Sequence, residues 1–229
     1  MAIDITSVVT AAGALGIASF ALVDATKIGR QGGISNSGFS RIQAAVNEFY
    51  PGVTRESLPG DANSASRMLD ILHGNWINGM PLADQKAIAK SLIKLRLSKD
   101  TAAAFAKATG VDAVVLAATA DSMNNGTELS LPQNNVLGRF DLGLTAILDA
   151  GYQRADQKYR NNSRVLASGV AVVLAVLGGW SVAEAAYFGS VLMWQSVLCG
   201  LLAIPLAPIS KDLASALTAG VRVAQSLKK

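Results

Sequence analysis

The chain holds one histidine, His73, and one cysteine, Cys199. Cys–His nucleophilic catalysis needs both groups within hydrogen-bond reach, and a zinc or iron–sulfur centre needs several thiolates or imidazoles in one place. His73 falls on a short helical segment beside Trp76, whereas Cys199 falls near the middle of a long apolar run, so the two cannot share a site. His73 therefore reads as a surface or partly buried structural imidazole, and Cys199 as a small buried hydrophobe. A haem held inside a membrane usually takes histidines from the spans, and no apolar run contains one. The glycine-rich stretch Gly29, Gly32, Gly33, Ser35, Asn36, Ser37, Gly38 has neither GxGxxG spacing nor a following Lys-Ser/Thr pair, which makes it a linker rather than a phosphate cradle. The expectation is a chain with no catalytic residues, no metal and no cofactor.

Two patterns do point to contacts. Ala167, Ala171, Ala175 and Gly179 recur every four positions, Ser196, Gly200, Ala203 and Ala207 line part of a second apolar segment, and Ala12 and Gly16 belong to a third. Small residues at helical spacing let backbones approach closely in lipid, where van der Waals packing holds helices together. The alternative is that alanine is simply abundant here. Val172 lies on a different side of its helix from the stripe, where added bulk is tolerated if that side faces lipid. Lys86, Lys90 and Lys94 form the second pattern, one helix face with Arg96 and Lys99 nearby. This face reads either as solvated or as a contact for anionic lipid headgroups or an acidic partner. Lys27, Arg30, Arg160, Arg164 and Lys211, at the ends of apolar segments, are further headgroup candidates.

These patterns need elements to carry them. In 229 residues, 51% are hydrophobic, 16% charged and 6% aromatic, and the mean hydropathy is +0.35, which excludes a disordered or coiled-coil chain. Residues 5–23 carry no charge, long enough at about 1.5 Å per residue to cross a hydrocarbon core of about 30 Å. Asp4 precedes this run, and Lys27 and Arg30 follow it, the reverse of a signal peptide, so it reads as a retained anchor with its N-terminus outside. Between Arg164 and Lys211 only Glu184 is charged, which predicts a hairpin of two spans, 165–182 and 186–209, with Trp180 and Tyr187 at headgroup level beside the turn. The net charge of +4 fits basic cytoplasmic loops rather than nucleic acid, for which no aromatic-interleaved module exists. Basic residues at three junctions place residues 27–164 and the C-terminus in the cytoplasm and the hairpin turn outside.

Between the spans, apolar positions recur at helical spacing. Phe39, Ile42, Val46 and Phe49 mark one helix ended by Pro51-Gly52; Met68, Leu69, Leu72 and Trp76 mark a second; Ile88, Leu92 and Leu95 a third beginning beside Pro81. Ser98 caps a run stopped by Gly110, and 111–122 makes another short helix. Asn124-Asn125-Gly126 and Leu131-Pro132 make 124–135 a loop. Phe140, Leu144, Ile147, Leu148, Tyr152, Ala155 and Tyr159 then form a stripe that runs without a breaker into the membrane, one helix over about 136–180 with bends possible at Gly143 and Gly151. The domains expected are an anchor at 1–26, a cytoplasmic helical domain at 27–135, a stalk at 136–164, a transmembrane hairpin at 165–209 and an amphipathic helix at 210–229. The fold class is an all-α membrane protein with three transmembrane helices and a helical cytoplasmic domain.

This order of elements, with Arg139-Phe140-Asp141 through Leu148-Asp149 to Tyr159-Arg160 and Arg164, two close spans, and Pro208-Ile209-Ser210-Lys211-Asp212-Leu213, resembles bacterial three-span inner-membrane proteins with a cytoplasmic helical region, a group without an assigned activity. The resemblance lies mainly in the last ~90 residues and in architecture. It implies a bacterial inner membrane and supplies no catalytic residue. The expected function is a non-catalytic, membrane-anchored scaffold or accessory subunit whose partners are membrane lipids and other membrane subunits or further copies of itself, with no nucleic acid. The alternative is a membrane-surface binding or sensing module.

Overall fold

The computed structural model describes residues 5–29, 32–53 and 65–226, with side chains described over 9–26, 32–53, 65–184 and 186–208. The described residues form eight α-helices and no strand: α1 (Ile5–Gly29), α2 (Asn36–Asn47), α3 (Ala65–Ile77), α4 (Leu82–Lys94), α5 (Ala102–Thr109), α6 (Ala113–Asn124), α7 (Leu131–Ala183) and α8 (Val191–Ser226). The protein is all-α, with three helices long and apolar enough to cross a membrane: α1, α7 and α8. Two compact units divide the chain, one of Met1–Ile34 with Arg160–Lys229 and the other of Ser35–Tyr159. Residues 131–159 of α7 belong to the second unit, and the rest of the helix to the first.

The helical unit, Ser35–Tyr159, is built around that first part of α7. Phe140, Leu144, Leu148, Tyr152 and Ala155 repeat at three- or four-residue spacing and are buried, as are Phe39, Ile42, Val46 and Phe49 of and just after α2. Phe105 sits among aromatic rings, edge-on to Phe49 at 5.5 Å and to Tyr50 at 5.3 Å and stacked on Phe140 at 5.9 Å. Residues 136–159 are thus core, not a free stalk. Gly143 and Gly151 allow close packing rather than bending, since a Cβ on Gly151 would lie 2.6 Å from the Ala45 Cβ and one on Gly143 2.9 Å from the Thr109 Cβ.

Local sequence sets the boundaries here. The Asp112 carboxylate accepts the Val115 N–H at 2.9 Å and caps α6, and Gly110 closes α5 in the left-handed region at φ 71°. The loop expected over 124–135 ends earlier, because Leu131-Pro132 is the first turn of α7. Gln133 Oε1 accepts the Ser130 N–H at 2.8 Å, one arm of a capping box, and proline fits a first turn that needs no N–H donor.

In the other unit, a 3₁₀ turn (Glu184–Tyr187) and a bend through Gly189 at φ 89° join α7 to α8. Span three therefore begins at Val191 rather than near 186. Its apolar segment ends at Pro208, close to the expected 209, but the helix does not. α8 continues through Pro205 and Pro208 to Ser226, so the C-terminal helix expected at 210–229 is its extension over the described residues. Large apolar side chains stand exposed along this unit, among them Val173, Leu177, Val191, Trp194, Leu198 and Leu202. Apolar surface on this scale calls for lipid rather than water.

Candidate functional site

The small-residue stripes meet inside the chain. A Cβ on Gly16 of α1 would overlap the Ala203 carbonyl oxygen of α8 and touch the Ala207 Cβ at 3.0 Å, and Ala12, Ala203 and Ala207 are buried. A Cβ on Gly200 of α8 would lie 2.5 Å from Val172 Cα and 3.0 Å from the Ala171 carbonyl oxygen of α7, where Ala167 and Ala171 are fully buried. Val23, Ala167 and Ile204 close the bundle, with Phe20, Ile34 and Val170 against them. The seam exists, and its partner is this chain. Ala175 is half-buried on the same stripe. The main chain of Val172 packs at Gly200 and its side chain is half-buried, whereas Val173 is exposed.

Near the hairpin turn, Gly179 makes room for Tyr187 and Ser196, whose Cε2 and Oγ would lie 2.6 and 2.7 Å from an added Cβ. Tyr187 is therefore buried, and the outward ring expected there is supplied by Phe188, 5.9 Å from Trp180. Glu184 opens this turn at φ 54°, a left-handed conformation that costs a non-glycine residue about 1–2 kcal/mol.

The lysine face is not a free basic surface. Lys86 Nζ donates to Asp149 at 2.5 Å, and Lys90 and Lys94 donate to the two oxygens of Asp141 at 2.6 and 2.9 Å. These pairs, about a third exposed, join α4 to α7. Lys86, Lys90 and Lys94 are thereby corrected from headgroup contacts to ties within the helical unit. The hydrogen bond from Lys90, supported by Lys94 against a desolvation that acts the other way, holds the Asp141 carboxyl below its ordinary range. Asp141 and Asp149 both sit on the polar side of the α7 stripe, eight positions apart, as Lys86 and Lys94 do on α4. Arg160 and Arg164 are exposed. The side chains of Lys27, Arg30 and Lys211 lie outside the described residues.

His73 is buried, with Nε2 2.7 Å from Asn36 Oδ1 and its ring edge-on to Phe39 at 4.7 Å. Beside it the Trp76 indole N–H donates to the Ser35 carbonyl at 2.8 Å. The imidazole is thus a packed group of the α2–α3 contact. Cys199 is half-buried on α8. No three His, Cys, Asp or Glu side chains gather as a metal site among the described residues. Burial raises the phenols of Tyr50 and Tyr152, so both stay protonated.

No protein-family model, curated protein or solved structure matches the chain. Residue roles therefore rest on the geometry alone.

Proposed function

We propose that the chain is a non-catalytic, membrane-anchored scaffold or accessory subunit of a larger membrane assembly, seated in a bacterial inner membrane. Its N-terminus and hairpin turn lie outside, and the helical unit and C-terminus lie in the cytoplasm. The observation that carries this reading is α7: one helix supplies both the central core stripe of the helical unit and an apolar segment long enough to span. The small-residue seam supports a self-contained three-helix bundle, so the docking surfaces of the scaffold are the helical unit and the outward apolar ridges. The ion pairs of Lys86, Lys90 and Lys94 count against a lipid-sensing lysine face.

Purification in mild detergent tests the reading. Co-purification with stoichiometric membrane partners, or a defined oligomer, is the expected result. A lone monomer that binds liposomes containing anionic lipid would overturn it in favour of a surface sensor.

A further inference from the structure

A recess of about 470 Å³ lies in the helical unit where the α4–α5 connection, the start of α5, the end of α6 and Tyr50 meet. That volume is within the range of about 300–1,000 Å³ typical of small-molecule sites. Leu95, Arg96, Leu97, Thr101, Asn124 and Tyr50 line it. The Arg96 guanidinium carbon stands 5.6 Å from the Tyr50 ring centroid, over the ring, a cation–π contact. Its edge donors, which suit a planar oxyanion bidentately, have no carboxylate partner among the described residues. The lysines Lys86, Lys90 and Lys94 on the preceding helix are all paired, so Arg96 is set apart from them.

The loop that presents Arg96 is held in place. Thr101 Oγ1 donates to the Arg96 carbonyl at 2.7 Å and accepts the Ser98 N–H at 2.9 Å, and the Arg96 N–H donates to the Ile93 carbonyl at 3.1 Å. Leu97 is buried in the core while Leu95, two positions earlier, is largely exposed. Tyr50 carries a hydroxyl that is buried and has no hydrogen-bond partner. A cation over an aromatic ring, beside the exposed Leu95, gives the recess one polar end and one apolar wall.

We propose that this recess binds a small organic anion, its carboxylate taken by the edge of Arg96 and its apolar body laid along the Tyr50 and leucine side.

The test uses the full chain in nanodiscs of phosphatidylcholine, titrated calorimetrically with 3-phenylpropionate, acetate, inorganic phosphate and neutral 3-phenylpropionamide. The expected order has 3-phenylpropionate saturable and at least about tenfold tighter than acetate, since each buried methylene is worth about fourfold. Arg96→Gln should weaken that binding at least about tenfold, Arg96→Lys should restore part of it, and Arg139→Gln should leave it unchanged. Asn124→Trp, on the exposed rim, fills the mouth and should abolish binding, which keeps the test decisive if Arg96→Gln fails to fold. The proposal is overturned if no probe binds saturably, or if Arg96→Gln and Asn124→Trp bind like the parent. It is also overturned if phosphate matches 3-phenylpropionate, which removes the organic body, or if the neutral amide matches it, which removes the charge.

Discussion

Gly200 and Gly169 make a matched pair, both glycines inside apolar helices. Alanine is favoured over glycine in a helix interior by about 1 kcal/mol, so at an open position Gly→Ala stabilises. At Gly169 an added methyl meets nothing within 4 Å, and Gly169→Ala should stabilise the bundle by up to ~1 kcal/mol. At Gly200 the same methyl meets Val172 Cα at 2.5 Å and Val172 N at 2.8 Å. These are main-chain atoms of α7, which yield only if the whole helix shifts, and overpacking of this kind costs ~1–3 kcal/mol. Subtracting the propensity gain leaves Gly200→Ala destabilising by up to ~2 kcal/mol, so the two variants should move in opposite directions. Unfolding in mixed micelles of mild detergent and SDS, followed by far-UV circular dichroism, reads the difference. Val173→Leu, on an outward position, is the bulk control. If Gly200→Ala stabilises as much as Gly169→Ala, α7 and α8 do not approach there, and the internal seam is refuted.

Three further outcomes follow. The Asp141 carboxyl is lowered in the fold, so its ion pairs contribute stability that is fully present above the unfolded value of about 4 and is lost as pH falls through the lower folded value. Asp141→Asn should flatten that acid limb and cost ~0.2–1 kcal/mol at neutral pH for pairs this exposed, measured by urea unfolding across pH; an unchanged limb would place the acid-labile group elsewhere. Glu184→Gly relieves a left-handed φ of 54° and should stabilise the hairpin by ~1 kcal/mol, checked by the same SDS unfolding; a loss of stability would mean that the Glu184 side chain holds the turn. In a Cys199→Ser background, a cysteine at Asn124 should label only from the cytoplasm and one at Glu184 only from outside, and labelling of position 184 from the cytoplasm would sink the proposed orientation.

How much of this was legible in the sequence differs between the two units. In the helical unit, 3.6-residue periodicity located the helices, because each buries one face against neighbours and leaves the other polar. Pro81, Gly110 and the Phe140–Tyr159 stripe all sit where the pattern put them. The miss at Leu131-Pro132 arose from reading proline as punctuation when its neighbours, Ser130 and Gln133, already spelled a capping box. In the membrane unit the pattern marks spans well but their ends poorly. α8 continues through Pro205 and Pro208, since a helix packed on neighbours tolerates proline at membrane depth.

Contacts were harder to read than elements, for a physical reason that the lysines and glycines share. A lysine at four-residue spacing carries the same charge whether it faces a phosphate or a carboxylate; only the register of a second helix, here Asp141 and Asp149 on α7, decides which. A glycine in an apolar helix is equally silent, because its value lies in the backbone it admits. Gly200 and Gly169 look alike in sequence, and the presence of Val172 beside one of them separates a packing site from an open position. Arg96 shows the converse. It was grouped with Lys86, Lys90 and Lys94 by proximity along the chain, but it lies beyond the end of α4, on a loop fixed by Thr101, over an aromatic ring. Lysines paired within the fold contribute little to recognition of anything else, whereas an arginine whose guanidinium has no carboxylate partner keeps its donors available. Removing Arg96 should therefore change what the helical unit binds more than how firmly it folds, and removing Asp141 should do the reverse.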